Sequence, residues 1–200
     1  NMGTFATTSQ GQLPVTDYYP AVVAAAIGGT NYIYVMSGIS ATSTVYKATV
    51  DSSGNVGSFA TTSQGQLPQQ IYRGDQSATT ATIGGTTYLY FIGSASYPGG
   101  SALSTVYKAT VDTSGNIGTF ATTSQAQLPQ GLYSLSGTFT HTVSWTSYVY
   151  VIGGYGAAAV TTVYKATIDI SGNIGAFATT SQGQLPLKNF QGQVNTTTIS

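Results

Sequence analysis

The stretch Phe59-Ala60-Thr61-Thr62-Ser63-Gln64-Gly65-Gln66-Leu67-Pro68 decides the fold, because it returns almost unchanged from Phe5, Phe120 and Phe177. A turn of the form Asp-x-Ser-Gly-Asn-Val/Ile-Gly precedes three of these copies, at 51–57, 112–118 and 169–175. The copies lie 54, 61 and 57 residues apart (Phe5 to Phe59, Phe59 to Phe120, Phe120 to Phe177). A period of this size marks an array of supersecondary units that bury their faces against one another.

Each unit reads as four short strands. The first is small and rich in Ala and Thr, at 21–27, 78–83 and 138–143. The second is strongly β-prone, at 32–35, 88–91 and 148–151, and is apolar or aromatic on both faces, as a strand covered on both sides must be. The third spans 44–50, 105–111 and 162–168, and the Phe-Ala-Thr-Thr-Ser segment supplies the fourth. Gly, Asn and Asp turns punctuate the strands and no helical period appears, so the chain is predicted to be all-β.

Four antiparallel strands per repeat is the pattern of a β-propeller blade. The expected organisation is an outer strand of a preceding blade (1–14), three complete blades (15–68, 69–129, 130–186) and an inner strand of a following blade (187–200), centred on 193–199. Three blades fall short of the roughly four to eight that close a ring. The sequence is therefore expected to be an excerpt of a longer propeller, or a chain that assembles with others into a ring or filament.

Tyr148-Val149-Tyr150-Val151-Ile152-Gly153-Gly154 resembles the double-glycine hallmark of kelch repeats, shared with the galactose-oxidase-like propellers, and Leu-Pro ahead of each inner strand fits the same family. The glycine pair is altered at Ser37-Gly38 and Gly93-Ser94, and Phe59, Phe120 and Phe177 stand where the family carries a later Trp. The resemblance implies a propeller that binds through its loop face. It does not extend to a copper centre, which needs several histidines and a Cys–Tyr crosslink; the chain has one His and no Cys.

Spacing locates the variable loops. Phe to Pro is invariant (Phe5 to Pro14, Phe59 to Pro68, Phe120 to Pro129, Phe177 to Pro186), as is the third-strand Tyr to the next Phe (Tyr46 to Phe59, Tyr107 to Phe120, Tyr164 to Phe177). Only the blade-to-blade loop and the loop between second and third strands change length. In an up-and-down blade these two emerge together, so one face is uniform and the other individual. Binding concentrates in loops on a rigid scaffold.

Composition excludes several classes. Charged residues are 5% of the chain, Glu is absent and the formal net charge is zero, leaving no cationic footprint for nucleic acid. No apolar run approaches the roughly 18 residues of a membrane helix, so membrane insertion is not expected. So weakly charged a surface also favours self-association. The Thr-, Ser- and Gly-rich character predicts a secreted or cell-surface protein.

Candidate ligand-binding residues are the non-repeated aromatics Tyr19, Tyr97 and Tyr155 and the non-repeated loop charges Asp17, Arg73 and Asp75. Tyr18, Tyr72, Tyr133 and Phe190 recur four residues after the repeat Pro and are assigned to packing between blades. The recurring Lys47, Lys108 and Lys165 read as edge-strand guards, and Asp51, Asp112 and Asp169 as turn formers. His141 lacks a recognisable partner and is expected to be structural; Asn195-Thr196-Thr197 is an N-glycosylation sequon. No catalytic residue, metal or cofactor is expected. The sequence thus predicts a non-enzymatic recognition or adhesion module binding protein or glycan through its variable face, or else a structural subunit of a filament, fibre or surface layer.

Overall fold

A computed structural model describes residues 10–38, 40, 42–61, 65–179 and 183–186. Residues 5–9 of the Phe5 copy of the repeat, the 193–199 strand and the Asn195 sequon lie outside the described residues. Among those described, every regular element is a strand. They are β1 (Ala21–Ile27), β2 (Thr30–Met36), β3 (Val45–Val50), β4 (Ile71–Arg73), β5 (Ala78–Ile83) and β6 (Thr86–Ile92). There follow β7 (Ala95–Ser96), β8 (Val106–Val111), β9 (Gly137–Val143), β10 (Thr146–Ile152) and β11 (Val163–Ile168). Three antiparallel three-stranded sheets result: β1-β2-β3, β5-β6-β8 and β9-β10-β11.

The hairpins joining inner to middle strands show how local chemistry sets register. Gly28-Gly29 and Gly84-Gly85 both adopt positive φ (57° and 82°; 56° and 82°), the two-residue turn whose twist matches its flanking strands. Ser144-Trp145 takes the same geometry without glycine, at φ 47° and 68°. The pairings Ile27↔Thr30, Ile83↔Thr86 and Val143↔Thr146 follow.

The expected fourth strand is present only as pairs of isolated bridges. Val50 pairs with Val56 and Lys47 with Ala60; Val111 pairs with Ile117 and Lys108 with Ala121; Ile168 pairs with Ile174 and Lys165 with Ala178. The register slips by one residue between the bridges of each pair. The extra residue lies between Gly57 and Ala60, and at the equivalent place in the next two units, a bulge that interrupts the ladder continuous pairing would need. A short pair the spacing argument did not anticipate, β4 with β7, forms within the variable loops.

The middle strands explain why both of their faces are apolar. Leu89 and Phe91 of β6 pack with Tyr32, Tyr34 and Met36 of β2, whereas Tyr88, Tyr90 and Ile92 pack with Val149 and Val151 of β10. The inner strands adjoin as well, with Thr140 Oγ1 donating to Thr80 O at 2.6 Å.

Between sheets the same polar joint occurs twice. Tyr34 Oη donates to Gly115 O and Tyr90 Oη to Gly172 O, each at 2.8 Å. Burial pushes both phenols well above their ordinary range, so both remain protonated donors. Lys47 Nζ donates to Ser114 O (3.1 Å) and Asn116 Oδ1 (2.7 Å); Lys108 Nζ donates to Ser171 O (3.0 Å) and Asn173 Oδ1 (2.6 Å). Each ammonium also lies over a tyrosine ring, Lys47 on Tyr32 at 5.3 Å and Lys108 on Tyr88 at 5.2 Å. These lysines are therefore connectors between neighbouring sheets, beyond any role in guarding an edge.

The turn aspartates organise the acceptors of that joint. Asp51 accepts from the backbone N–H of Ser53 and Asn55, and Asp112 and Asp169 do the same one and two units later. The backbone N–H of Asn55, Asn116 and Asn173 is the main cause holding these carboxyls below the usual carboxylate range. The unfolded chain therefore takes up protons first on acidification. Their contribution is complete above about pH 4 and is lost as pH falls through the lowered folded values. We expect the urea midpoint to fall below about pH 4 as these three carboxylates are protonated. A midpoint unchanged down to about pH 2 would contradict this.

Candidate functional site

The loops of unequal length meet where the three sheets converge. The 14–21 loop reaches the 68–78 loop through Gly74 N, which donates to Tyr19 O at 2.9 Å. The 68–78 loop joins the loop after β6 through the β4–β7 pair. Tyr133 N and O bond to Tyr155 O and N at 2.9 and 2.8 Å, closing the 129–137 loop onto the loop after β10.

Arg73 stands at the centre of this face. Its guanidinium lies 5.2 Å from the Tyr19 ring centroid, 5.7 Å from that of Tyr72 and 5.6 Å from that of Tyr133. Rings from three consecutive loops thus surround one cation, which their faces attract electrostatically. Tyr133 packs in turn on Tyr155, centroids 5.4 Å apart. Arg73 Nη1 approaches Ser134 Oγ at 3.4 Å, and Ser134 Oγ donates to Asp75 Oδ2 at 2.9 Å.

Asp75 differs from the turn aspartates. Burial raises its carboxyl above the usual range, and the Ser134 hydrogen bond and the Arg73 charge only partly oppose that. It is the one described carboxyl held toward its neutral form. Asp17 Oδ1 accepts from the backbone N–H of Tyr18 (2.8 Å) and Ser40 (3.2 Å), a carboxylate fixed by its loop. It sits against Gly38, whose neighbour Ser37 lies against Gly74, so Asp17 and Asp75 flank one junction.

Buried hydroxyls ring the same strand ends. Ser37, Ser77, Ser94, Ser136 and Thr138 have no hydrogen-bond partner among the described residues. Among the described residues no group of three or more His, Cys, Asp or Glu could hold a metal ion.

The structure thus brings together Arg73, Asp75, Tyr19 and, through Tyr133, Tyr155. Asp17 belongs to the same 14–21 loop as Tyr19 but bonds only Tyr18 and Ser40 among the described residues, while Tyr97 is exposed in the loop after β6. Tyr18, assigned to packing, is exposed, and Tyr72 and Tyr133 flank Arg73; Phe190 lies outside the described residues. His141 is an exposed residue of β9 opposite Tyr148. Sequence reasoning missed Ser134, because one more serine carries no signal in so Ser-rich a chain.

No protein-family model matches the chain, and no curated protein matches it. Solved structures do. An α-L-arabinofuranosidase from Clostridium thermocellum matches 92% of this chain and 60% of its own, at 14% identity and TM-score 0.54. An exo-1,5-α-L-arabinanase from a bovine ruminal metagenomic library matches 83% of this chain and 60% of its own, at 14% identity and TM-score 0.48. An α-L-arabinanase from Cellvibrio cellulosa matches 78% and 56%, at 12% identity and TM-score 0.44. The chain therefore spans about 60% of the length of the first solved structures it matches.

The first likeness gives the fold as an all-β propeller. It also overturns the expectation of a non-enzymatic adhesion module or filament subunit, because the scaffold matched over 92% of this chain is that of a glycosidase. The physical reason for the error is plain. Low charge and regular repeats describe the blades, whereas chemistry would reside in the few non-repeated residues of the loop face.

Proposed function

We propose that this chain belongs to a glycan-acting propeller enzyme of the glycoside-hydrolase kind, with the sugar bound at the centre of the loop face. One observation carries the reading. Of the five aspartates in a chain without Glu, three are committed to turns on the uniform face; of the remaining two, Asp75 is tied through Ser134 to the single Arg on the loop face, and Asp17 is held in the adjoining 14–21 loop. Glycoside hydrolysis needs two carboxyl groups in opposite protonation states. Burial keeps Asp75 toward the protonated form of a general acid, while Asp17, receiving two backbone N–H groups, is suited to the carboxylate role.

In the proposed reaction Asp75 gives its proton to the glycosidic oxygen as the C–O bond breaks. Asp17 takes a proton from the attacking water. Arg73 and Ser134 hold Asp75 and offer donors to sugar hydroxyls, and Tyr19 and Tyr155 offer ring faces to the sugar's C–H surface. Arabinose-containing glycans, the substrates named for the matching structures, are the first to try. Such polymers are found outside cells, in keeping with a secreted or surface location. The organisation into three blades with the kelch-like Gly-Gly hallmark is part of the same proposal.

The test is hydrolysis of an aryl α-L-arabinofuranoside and of linear arabinan. Turnover is expected, declining as pH rises past the raised Asp75 value because the acid must be protonated. Asp75→Asn is expected to lower kcat about a hundredfold or more with the urea midpoint nearly unchanged. Absence of turnover, or an Asp75→Asn enzyme as active as the parent, would sink the proposal.

A further inference from the structure

We infer that the glycan bound at the loop face is acidic, and that Arg73 receives the carboxylate of one of its uronic-acid residues. The inference rests on the glycan-acting reading above and names the substrate class which that reading leaves open.

All five acidic side chains of the chain are among the described residues, and each is engaged by a group other than Arg73. Asp51, Asp112 and Asp169 close their own turns, Asp17 takes the N–H groups of Tyr18 and Ser40, and Asp75 accepts from Ser134. Arg73 is half-buried in the middle unit, so its charge is neither bonded to a carboxylate nor fully hydrated. Among the described residues its guanidinium makes one hydrogen bond, the 3.4 Å contact of Nη1 with Ser134 Oγ. The other N–H donors of the fork are open to a ligand.

The way the cation is held says what it can take. The rings of Tyr19, Tyr72 and Tyr133, 5.2–5.7 Å away, attract the charge without supplying an oxygen to its N–H groups. A planar fork of parallel donors matches the paired oxygens of a carboxylate, whereas a sugar hydroxyl offers no such pair. Burial holds Asp75 toward its neutral form, which lessens the repulsion an incoming carboxylate would meet.

The position suits a substrate group. Ser134 Oγ links Arg73 to Asp75, the proposed acid, so the carboxylate would belong to a sugar at the cleaved bond or next to it. Around Arg73 the backbone is strained: Tyr19, Gln76, Ser94 and Ser134 have φ of 56°, 53°, 98° and 46°, values that residues other than glycine seldom adopt. Ser94 precedes Ala95, the β7 partner of Arg73. Its buried hydroxyl, like that of Ser77 two residues beyond Asp75, bonds no described residue. Strain and unsatisfied polar groups collect where a protein is shaped for a ligand.

Calorimetric titration of the chain with the methyl glycosides of galacturonic and glucuronic acid, each against its neutral parent glycoside, tests the proposal. At least one uronide is expected to bind roughly tenfold or more tighter than its parent, the size of one charge-assisted hydrogen bond. Arg73→Gln should abolish that preference. Arg73→Lys, which keeps the charge and loses the fork, should weaken it, and stands in if Arg73→Gln fails to fold. Uronides that bind no tighter than their parents or not at all, a preference that survives both substitutions, or acetate binding as tightly as the uronides would each overturn the proposal. Binding is read without turnover, so the two readings part. A uronide preference in a chain that hydrolyses no arabinoside supports this site and removes only the hydrolase, whereas turnover without the preference removes only this site.

Discussion

Tyr90→Ala is expected to lower the unfolding free energy by about 3–5 kcal/mol, the largest loss from any single side chain considered. Tyr90 is fully buried and packs with Ile92, Val149 and Val151 between the second and third sheets. Truncation leaves a cavity the size of a ring in a wall made of strand backbone, which cannot collapse to fill it. It also orphans Gly172 O, the acceptor of its hydroxyl. Tyr90→Phe separates the two effects, because it keeps the ring and loses only the hydrogen bond; about 1–2 kcal/mol is expected. Urea unfolding of the three proteins checks this. Equal losses for Phe and Ala would mean that the hydroxyl, and not packing, holds the sheets together.

Gly115→Ala is the second large effect, and Gly54→Ala is its control. The two glycines occupy the same place in successive turns, with φ of 71° and 82°. Adding a methyl group at such a φ costs about 1–2 kcal/mol wherever it occurs. At Gly54 nothing lies within 4 Å of the new carbon, so this is the whole expected cost. At Gly115 the carbon would sit 2.6–2.8 Å from the Tyr32 ring, itself buried beneath Lys47. Overpacking adds about 1–3 kcal/mol and pushes Gly115 O from the Tyr34 hydroxyl. A measured difference near zero between the two variants would show that the turn swings away freely and that the joint is loose.

Much of the strand framework was legible because it is repeated: β1 and β5 fall where the small, Ala- and Thr-rich runs ahead of the glycine turns put them. The fourth strand was over-read, since a one-residue bulge leaves no mark in residue type. The role of the lysines was missed for a different reason. Lys47 and Asn116 are 69 residues apart, and no local pattern links them. At the site, Arg73 and Asp75 stood out as charges that break the repeat. Tyr72 and Tyr133 were discounted by the same logic, because a recurring residue looks structural until a single non-recurring neighbour such as Arg73 gathers copies of it.

The divided allegiance of β6 has a consequence for how the molecule can come apart. Alternate side chains of one strand belong to different cores, Leu89 and Phe91 to one and Tyr88, Tyr90 and Ile92 to the next. No sheet owns a core, and each core is the common property of two neighbours. The smallest cooperative piece is accordingly a pair of adjacent units, and melting one unit withdraws half the walls of those beside it. Insertions confined to the loop face leave those shared walls intact. The scaffold can therefore accumulate chemical novelty at its rim without renegotiating its interior.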